Sequence, residues 1–350
     1  MDKEHILITK ISIREPILSS QLYSGRLYIW AVDHQLHIYS WKKCLALLQQ
    51  IDRPIYLEPF PSEQLDLSLA ALEPALIRSR LINETITDTA IFNHVLYMTA
   101  AEGLYRLPLN QKEAIPEQIS SIPMEHLYIS RLGRMVCTSK QEGVFEYLLT
   151  TRYFYPDQQA KVANRLYQIQ TDHTQKVAWD AQNLIQWTDG VSPKMYYLTF
   201  AIHKGAIHFL EAKEIIDTPM KEKGADRIQP LPLHLSLTEP LEGDGQLFSF
   251  EEQGSQKIKV HDDYQDPFVK IRSFPSSLSQ QTVVDFERFF YLDDQKDLLS
   301  LYMQDECLLS LSKASIEKWK IFDRTFDYQN QLHVITAHTL DLYLFTQISR

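Results

Sequence analysis

Cysteine, glycine, net positive charge and long apolar runs are all in short supply in this chain of 350 residues. Its three cysteines, Cys44, Cys137 and Cys307, are odd in number and far apart. A disulfide framework is therefore not expected, and a reducing, cytoplasmic setting is. No apolar stretch approaches the roughly 18–20 residues needed to cross a bilayer, so no membrane span is expected. The start, Met1-Asp2-Lys3-Glu4-His5, has no basic region leading into an apolar one, and no signal peptide is expected. Lys and Arg number 35 against 45 Asp and Glu, a formal charge of −10. That balance makes nucleic acid an unfavourable partner, because binding it means neutralising a polyanion. With only 10 glycines, many turns must be made by Asp, Asn, Gln and Lys, as in Asp293-Asp294-Gln295-Lys296.

Motifs that carry chemistry are missing as well. Histidines pair at His34/His37, His203/His208 and His333/His338, without a His-Glu-x-x-His or Cys-x-x-Cys pattern beside them. They read as strand and turn histidines: His34 falls in a turn, His37 on a strand. The acidic clusters Asp293/Asp294/Asp297 and Asp262/Asp263/Asp266 lack the ligand spacing of a calcium loop and read as solvated turns. There is no Gly-x-Ser-x-Gly elbow, and Cys137 sits inside the strand Met135-Val136-Cys137-Thr138, where packing is its expected role. Glu242-Gly243-Asp244-Gly245-Gln246 has no lysine and reads as a turn, not a phosphate loop. No cofactor, metal or catalytic residue is expected from these patterns.

What the chain does have is a 44% hydrophobic content, with 18 Tyr and 16 Phe, and a repeated hairpin. An apolar strand, a polar turn and a second apolar strand recur seven times. Leu27-Tyr28-Ile29-Trp30 precedes Leu36-His37-Ile38-Tyr39, and Leu96-Tyr97-Met98 precedes Leu104-Tyr105-Arg106-Leu107. First-strand anchors are Leu27, Leu96, Val136, Tyr197, Leu247, Phe290 and Leu332, spaced by about 51 residues on average. Related hairpins run over Met135 to Leu149, Met195 to Leu210, Arg288 to Met303 and Gln331 to Phe345; Gln246 to Val260 is the most polar copy. A lone hairpin is marginal in water and leaves open edges, and radial stacking of four-stranded sheets removes both problems.

Through units such as His94-Val95-Leu96-Tyr97-Met98-Thr99-Ala100-Ala101-Glu102-Gly103-Leu104-Tyr105-Arg106-Leu107, residues 17–345 resemble divergent β-propellers of the WD40-like or quinoprotein-like kind. The Gly-His and Trp-Asp dipeptides of true WD40 blades are missing, so no family's functional residues carry over. The expected fold is all-β: a seven-bladed β-propeller forming a single domain over residues 1–350. The N-terminal strand, residues 5–13, is expected to join the C-terminal blade and close the ring. Two stretches interrupt the rhythm. Residues 59–82 carry leucines at roughly helical spacing broken by Pro74, and read as a short helix or as irregular outer strands. Residues 213–245, including Thr218-Pro219-Met220-Lys221-Glu222-Lys223-Gly224, read as a long loop.

The resemblance implies a scaffold whose rim and faces bind other macromolecules. The leading functional reading is a non-catalytic protein-interaction module, a subunit of a multi-protein complex. Trp179, Trp187, Lys221 and Lys223 are the candidate partner-binding residues, since exposed Trp favours interface hot spots. Trp30 and Trp41 are placed on strands, in the core. The alternative is a hydrolase or lactonase with its site in a central channel, where Asp88, Asp285 and His126 at strand starts are the natural suspects.

Overall fold

The computed structural model describes residues 5–48, 64–130, 133–149, 166–180, 183–188, 194–203, 206–214, 234–241, 245–251, 270–274, 289–294, 297–303, 306–322, 328 and 330–348. After β1 (His5–Ile13) come β2 (Ile17–Tyr23), β3 (Arg26–Ala31) and β4 (Gln35–Ser40). An intervening segment holds α1 (Trp41–Leu47), β5 (Gln64–Leu67) and a 3-10 turn, Ala70–Ala75. β6 (Leu76–Leu81) then completes a sheet in the order β2-β3-β4-β6. A second meander is β7 (Ile86–Phe92), β8 (Val95–Ala100), β9 (Gly103–Pro108) and β10 (Glu117–Ser120). The third is β11 (His126–Ile129), β12 (Arg134–Ser139), β13 (Gly143–Leu148) and β14 (Leu166–Gln170).

The pattern repeats in β15 (Lys176–Asp180), β16 (Asn183–Trp187), β17 (Lys194–His203) and β18 (Ala206–Glu214). β19 (His234–Leu241) and β20 (Gly245–Glu251) pair with each other, and β20 also takes the end of β17. β21 (Lys270–Phe274) runs parallel to β22 (Phe289–Asp294), which continues antiparallel into β23 (Leu298–Met303) and β24 (Glu306–Ser312). Last come β25 (Ile316–Ile321), β26 (Gln331–Thr336) and β27 (Leu340–Ile348). The fold is thus all-β, and four of its sheets are four-stranded, three of them wholly antiparallel meanders, the blade unit of a β-propeller.

The sheets fall into two units, Met1–Asn83 with His261–Arg350, and Glu84–Val260. Within Glu84–Val260, β11 lies against both β7 and β15, so the first strands of successive meanders stand side by side. In the unit holding both chain ends, β2 lies on β26 and β21 on β25. Here β1 adds to β27 along its whole length, from His5 opposite Ile348 to Ile13 opposite Leu340. On its other edge β1 pairs in parallel with β5, Lys10 to Ile13 against Gln64 to Leu67. The N-terminal strand therefore joins the C-terminal sheet, as the hairpin pattern predicts. Ile11 and Ile13 enter one core with Leu27, Ile29, Leu72, Leu340, Leu342 and Leu344.

Turn residues explain where the strands break. Ser24-Gly25 and Asn93-His94 both have positive φ at their two central positions, the backbone of a tight primed hairpin turn. His34, also at positive φ, occupies the β3–β4 turn, and His37 lies on β4, as read from sequence. Central strands are buried on both faces: Leu27, Tyr28, Ile29 and Trp30 of β3 are each at most 1% exposed. Stacking of sheet on sheet requires this, and it is why these strands read as nearly unbroken apolar runs.

Several expectations change. Six of the seven hairpins form, but β20 pairs back onto β19 and β17, and residues 252–260 of the seventh lie outside the described residues. Trp41 is core, yet it opens α1 and is not on a strand; Ser40 Oγ caps that helix by accepting from the Lys43 N–H. Over 64–81 both alternatives hold in part: β5, a 3-10 turn containing Pro74, then β6. Within 213–245, residues 234–241 are strand β19, because Leu235 and Leu237 alternate with polar neighbours. Most of the rest of that stretch lies outside the described residues.

Candidate functional site

Polar groups on the first strands of the sheets are the natural place to look for chemistry. Asp88, on β7, has both carboxylate oxygens engaged. Oδ1 accepts the Thr89 N–H at 2.7 Å and Oδ2 the Leu127 N–H of β11 at 3.2 Å. His126, at the start of β11, brings Nδ1 to 3.8 Å from the same Oδ2. Two of the three suspects for an enzymatic reading are therefore neighbours, while Asp285 lies outside the described residues. The surrounding groups fasten one sheet to the next: Thr87 Oγ1 donates to the Met124 carbonyl and Thr99 Oγ1 to the Glu125 carbonyl.

Two further polar groups are sealed from water. On neighbouring strands β12 and β13, Arg134 grips Glu146 with both ends of its guanidinium, at 2.5 and 3.0 Å, with side-chain exposures of 5% and 0%. Burial raises the Glu146 pKa above its ordinary value, and the Arg134 fork opposes that rise. On β26, His333 is fully buried; its Nδ1 lies 2.9 Å from Ser20 Oγ on β2, and Phe322 meets its ring edge-on. Burial, aided by Lys320, depresses the His333 pKa to about 3, so the ring is neutral. Cys44 and Cys137 are buried too, and burial raises both thiols far from the reactive range.

One open cleft of about 380 Å³ lies on the sheet where the chain ends meet, lined by Lys10, Ser12, Arg14, Asp66, His338, Thr339 and Asp341. Lys10, Ser12 and Arg14 share one face, since alternate residues of a strand do. Lys10 Nζ binds Asp341 Oδ2 at 2.8 Å, and Arg14 pairs with Asp66. Burial works against the charged Lys10, but Asp341 and Tyr343 outweigh it, and its pKa lies above the usual lysine value. The β26–β27 turn that carries His338 and Thr339 is shaped by Thr336 Oγ1, which accepts the backbone N–H of both. Among the described residues, no three His, Cys, Asp or Glu gather to hold a metal ion.

Of the residues singled out from sequence, Trp179 lies on β15 opposite Leu184, and Trp187 on β16 opposite Lys176. They share one sheet on adjacent strands. Lys221 and Lys223 lie outside the described residues. The cleft residues went unread: Lys10-Ile11-Ser12-Ile13-Arg14 shows a strand alternation, but nothing local says that Asp66 and Asp341 flank it.

No protein-family model matches the chain, and no curated protein does. Among solved structures, a chain of the S. cerevisiae complex of Dbp5 bound to Nup159, Gle1, IP6 and ADP is similar at 11% identity and a TM-score of 0.43, over 99% of this chain and 97% of that one. The N-terminal domain of Nup159 is similar at 11% identity and a TM-score of 0.41, with the same coverage of 99% and 97%. The computationally designed Ika8 protein gives 10% identity and a TM-score of 0.36, over 95% and 98%. The chain resembles β-propellers in its four-stranded meanders. That reading rests on the strand pairing. Among the described residues no helix is long and apolar enough to cross a membrane.

Proposed function

We propose that the chain is a non-catalytic protein-interaction scaffold, a cytoplasmic subunit of a multi-protein complex, folded as one seven-bladed β-propeller over residues 1–350. The hairpins β3–β4, β8–β9, β12–β13, β17–β18, β22–β23 and β26–β27 supply one blade each in this reading, the stretch from Gln246 to Val260 supplies the remaining one, and β1 closes the ring at β27. The observation that carries the functional reading is the use made of Asp88. Both its oxygens are taken by backbone N–H groups, so the carboxylate best placed for catalysis acts as a fastener between β7 and β11. Trp179, Trp187, Lys221 and Lys223 are the proposed partner contacts.

Affinity purification of the tagged full chain from its native cells, with mild cross-linking, tests this. One or more proteins should co-purify in fixed proportion, and Trp179→Ala with Trp187→Ala should reduce their recovery. Asp88→Asn should cost about 1–3 kcal/mol of stability through the weakened backbone bonds while leaving partner recovery intact. The His126–Asp88 approach favours the second reading, a hydrolase or lactonase. A chain that purifies alone and turns over esters or lactones, with Asp88→Asn abolishing turnover at an unchanged melting temperature, would overturn the scaffold reading.

A further inference from the structure

In the sheet ordered β21-β22-β23-β24, β24 is an end strand, and among the described residues no strand pairs with its free edge. Which backbone groups face that edge follows from one bond. The Lys313 N–H donates to the Asp297 carbonyl at 2.9 Å, and the register runs Leu298↔Ser312, Leu299↔Leu311, Ser300↔Ser310 and Leu301↔Leu309. Hydrogen-bonded and non-bonded pairs alternate along an antiparallel ladder, so Leu309 and Leu311 direct their backbone groups to β23. Ser310 and Ser312 turn theirs outward. The side chains agree: across the closer, non-bonded pair the hydroxyls of Ser300 and Ser310 meet at 3.1 Å.

Other end strands are guarded against pairing. β6 carries Arg78 and Arg80, β10 has four residues and follows Pro116, and β5 has four with Asp66 among them. Residues 307–312 of β24 include no charge, proline or glycine. A bulge at Leu308 interrupts the strand, and residues 309–312 are its regular part. Leu309 and Leu311 are half-buried at the margin of the core built on Leu299 and Leu301, while Ser310 and Ser312 are exposed. Leu298, opposite Ser312 and one strand in from the free edge, is left 43% exposed.

Such an edge fits a second copy of itself. When two β24 strands lie antiparallel about a two-fold at Ser310, the outward N–H and carbonyl of each Ser310 meet those of its counterpart. Leu309 of one copy then faces Leu311 of the other in a non-bonded pair, where side chains are closest, so the leucine row of the core runs on across the seam. The ends match as well. Glu306 opens the strand and Lys313 follows it, so antiparallel copies bring opposite charges together at both ends, whereas β6 paired in this way would set arginine beside arginine. We propose that the chain forms a homodimer by joining the β24 edges of two copies into one continuous sheet. A two-fold contact uses the same edge on both copies, so association through it stops at two.

Sedimentation equilibrium of the full chain, from micromolar to hundreds of micromolar, tests this. It should show monomer and dimer with no larger species, and amide exchange at Ser310 and Ser312 should slow as the dimer fills. Ser310→Lys and Ser310→Glu, at an exposed position, should keep the melting temperature of the dilute chain. Each should weaken the dimer about tenfold or more, because two like charges then meet at the two-fold. An equimolar mixture of the two variants should restore the dimer, since opposite charges now face each other across the same axis. A chain that stays monomeric over the whole range overturns the proposal. So does a dimer unmoved by both variants, or a mixture that associates no more tightly than its components.

Discussion

Gly103 and Gly143 occupy the same place in two successive hairpins, each following a glutamate. Their φ values are +139° and +83°, and a Cβ on either would run into a backbone carbonyl, that of Ser120 or of Gln170. The strand that brings this carbonyl also sends a glutamine amide to the preceding glutamate carbonyl, Gln118 to Glu102 at 2.8 Å and Gln168 to Glu142 at 2.7 Å. The glycines thus let the outer strand close over the turn. Gly103→Ala and Gly143→Ala should each cost about 1–3 kcal/mol or more, because backbone cannot step aside as a side chain can. Gly25→Ala, whose Cβ meets nothing within 4 Å, should cost less. Denaturant midpoints of the three variants rank these costs; an equal loss for all three would refute the steric account.

His333 ties stability to pH at the same scale. As pH falls, the unfolded chain takes up this proton near the ordinary value of 6.5, while the folded residue holds out to about 3. The contribution is full above pH 6.5 and is lost progressively between there and about 3, at up to about 1.4 kcal/mol per pH unit. Protonation in place would put a charge in a dry environment, with Lys320 adding repulsion. Unfolding curves between neutral and mildly acid pH should be steeper in pH for the native chain than for His333→Asn, by one proton. Parallel curves would remove His333 from the explanation.

At the scale of elements, β1 is held on both edges. β27 pairs with nine of its residues and β5 with four, and the backbone continues the grip, with Arg14 N–H donating to the Leu67 carbonyl. Glu15 reaches further, accepting from the Leu69 N–H. The segment that interrupts the first sheet is therefore a clip over the N-terminal strand. Removing residues 1–14 takes Ile11 and Ile13 out of the core, and each buried aliphatic side chain contributes about 1.5–3 kcal/mol. Thermal unfolding should show a large fall in melting temperature, and replacing Leu67 with Asp should reproduce part of it. An unaffected melting temperature after the deletion would mean that β1 is not needed to hold the C-terminal sheet.

For the whole molecule, the formal charge of −10 sets an expectation about association. A basic partner should be drawn to the chain by long-range attraction that salt screens, so its on-rate should fall as ionic strength rises while the off-rate changes little. Stopped-flow association at several salt concentrations measures this once a partner is in hand. A salt-independent on-rate would assign recognition to apolar contacts instead.

Much of the fold could be read from local sequence. Strand alternation around Leu27, Leu96 and Leu332 and the turn chemistry between strands act over a few residues, so hairpins and the all-β class were legible. Even the joining of residues 5–13 to the last sheet followed from the need to cover an edge. Trp41 was misread because a helix cap at Ser40 outweighs an apolar run that continues the strand pattern. The uses of Asp88, His333 and Asp341 were not legible at all. Ser20 lies 313 residues from His333, and Asp66 and Asp341 meet at Ser12 only because β1 is sandwiched between strands from opposite ends of the chain. By itself, then, the sequence determined period, turns and which residues are apolar, since those act through neighbours in the chain. Which polar groups are buried as fasteners and which are left facing a cleft was decided by tertiary structure, because burial and pairing depend on what the other strands bring.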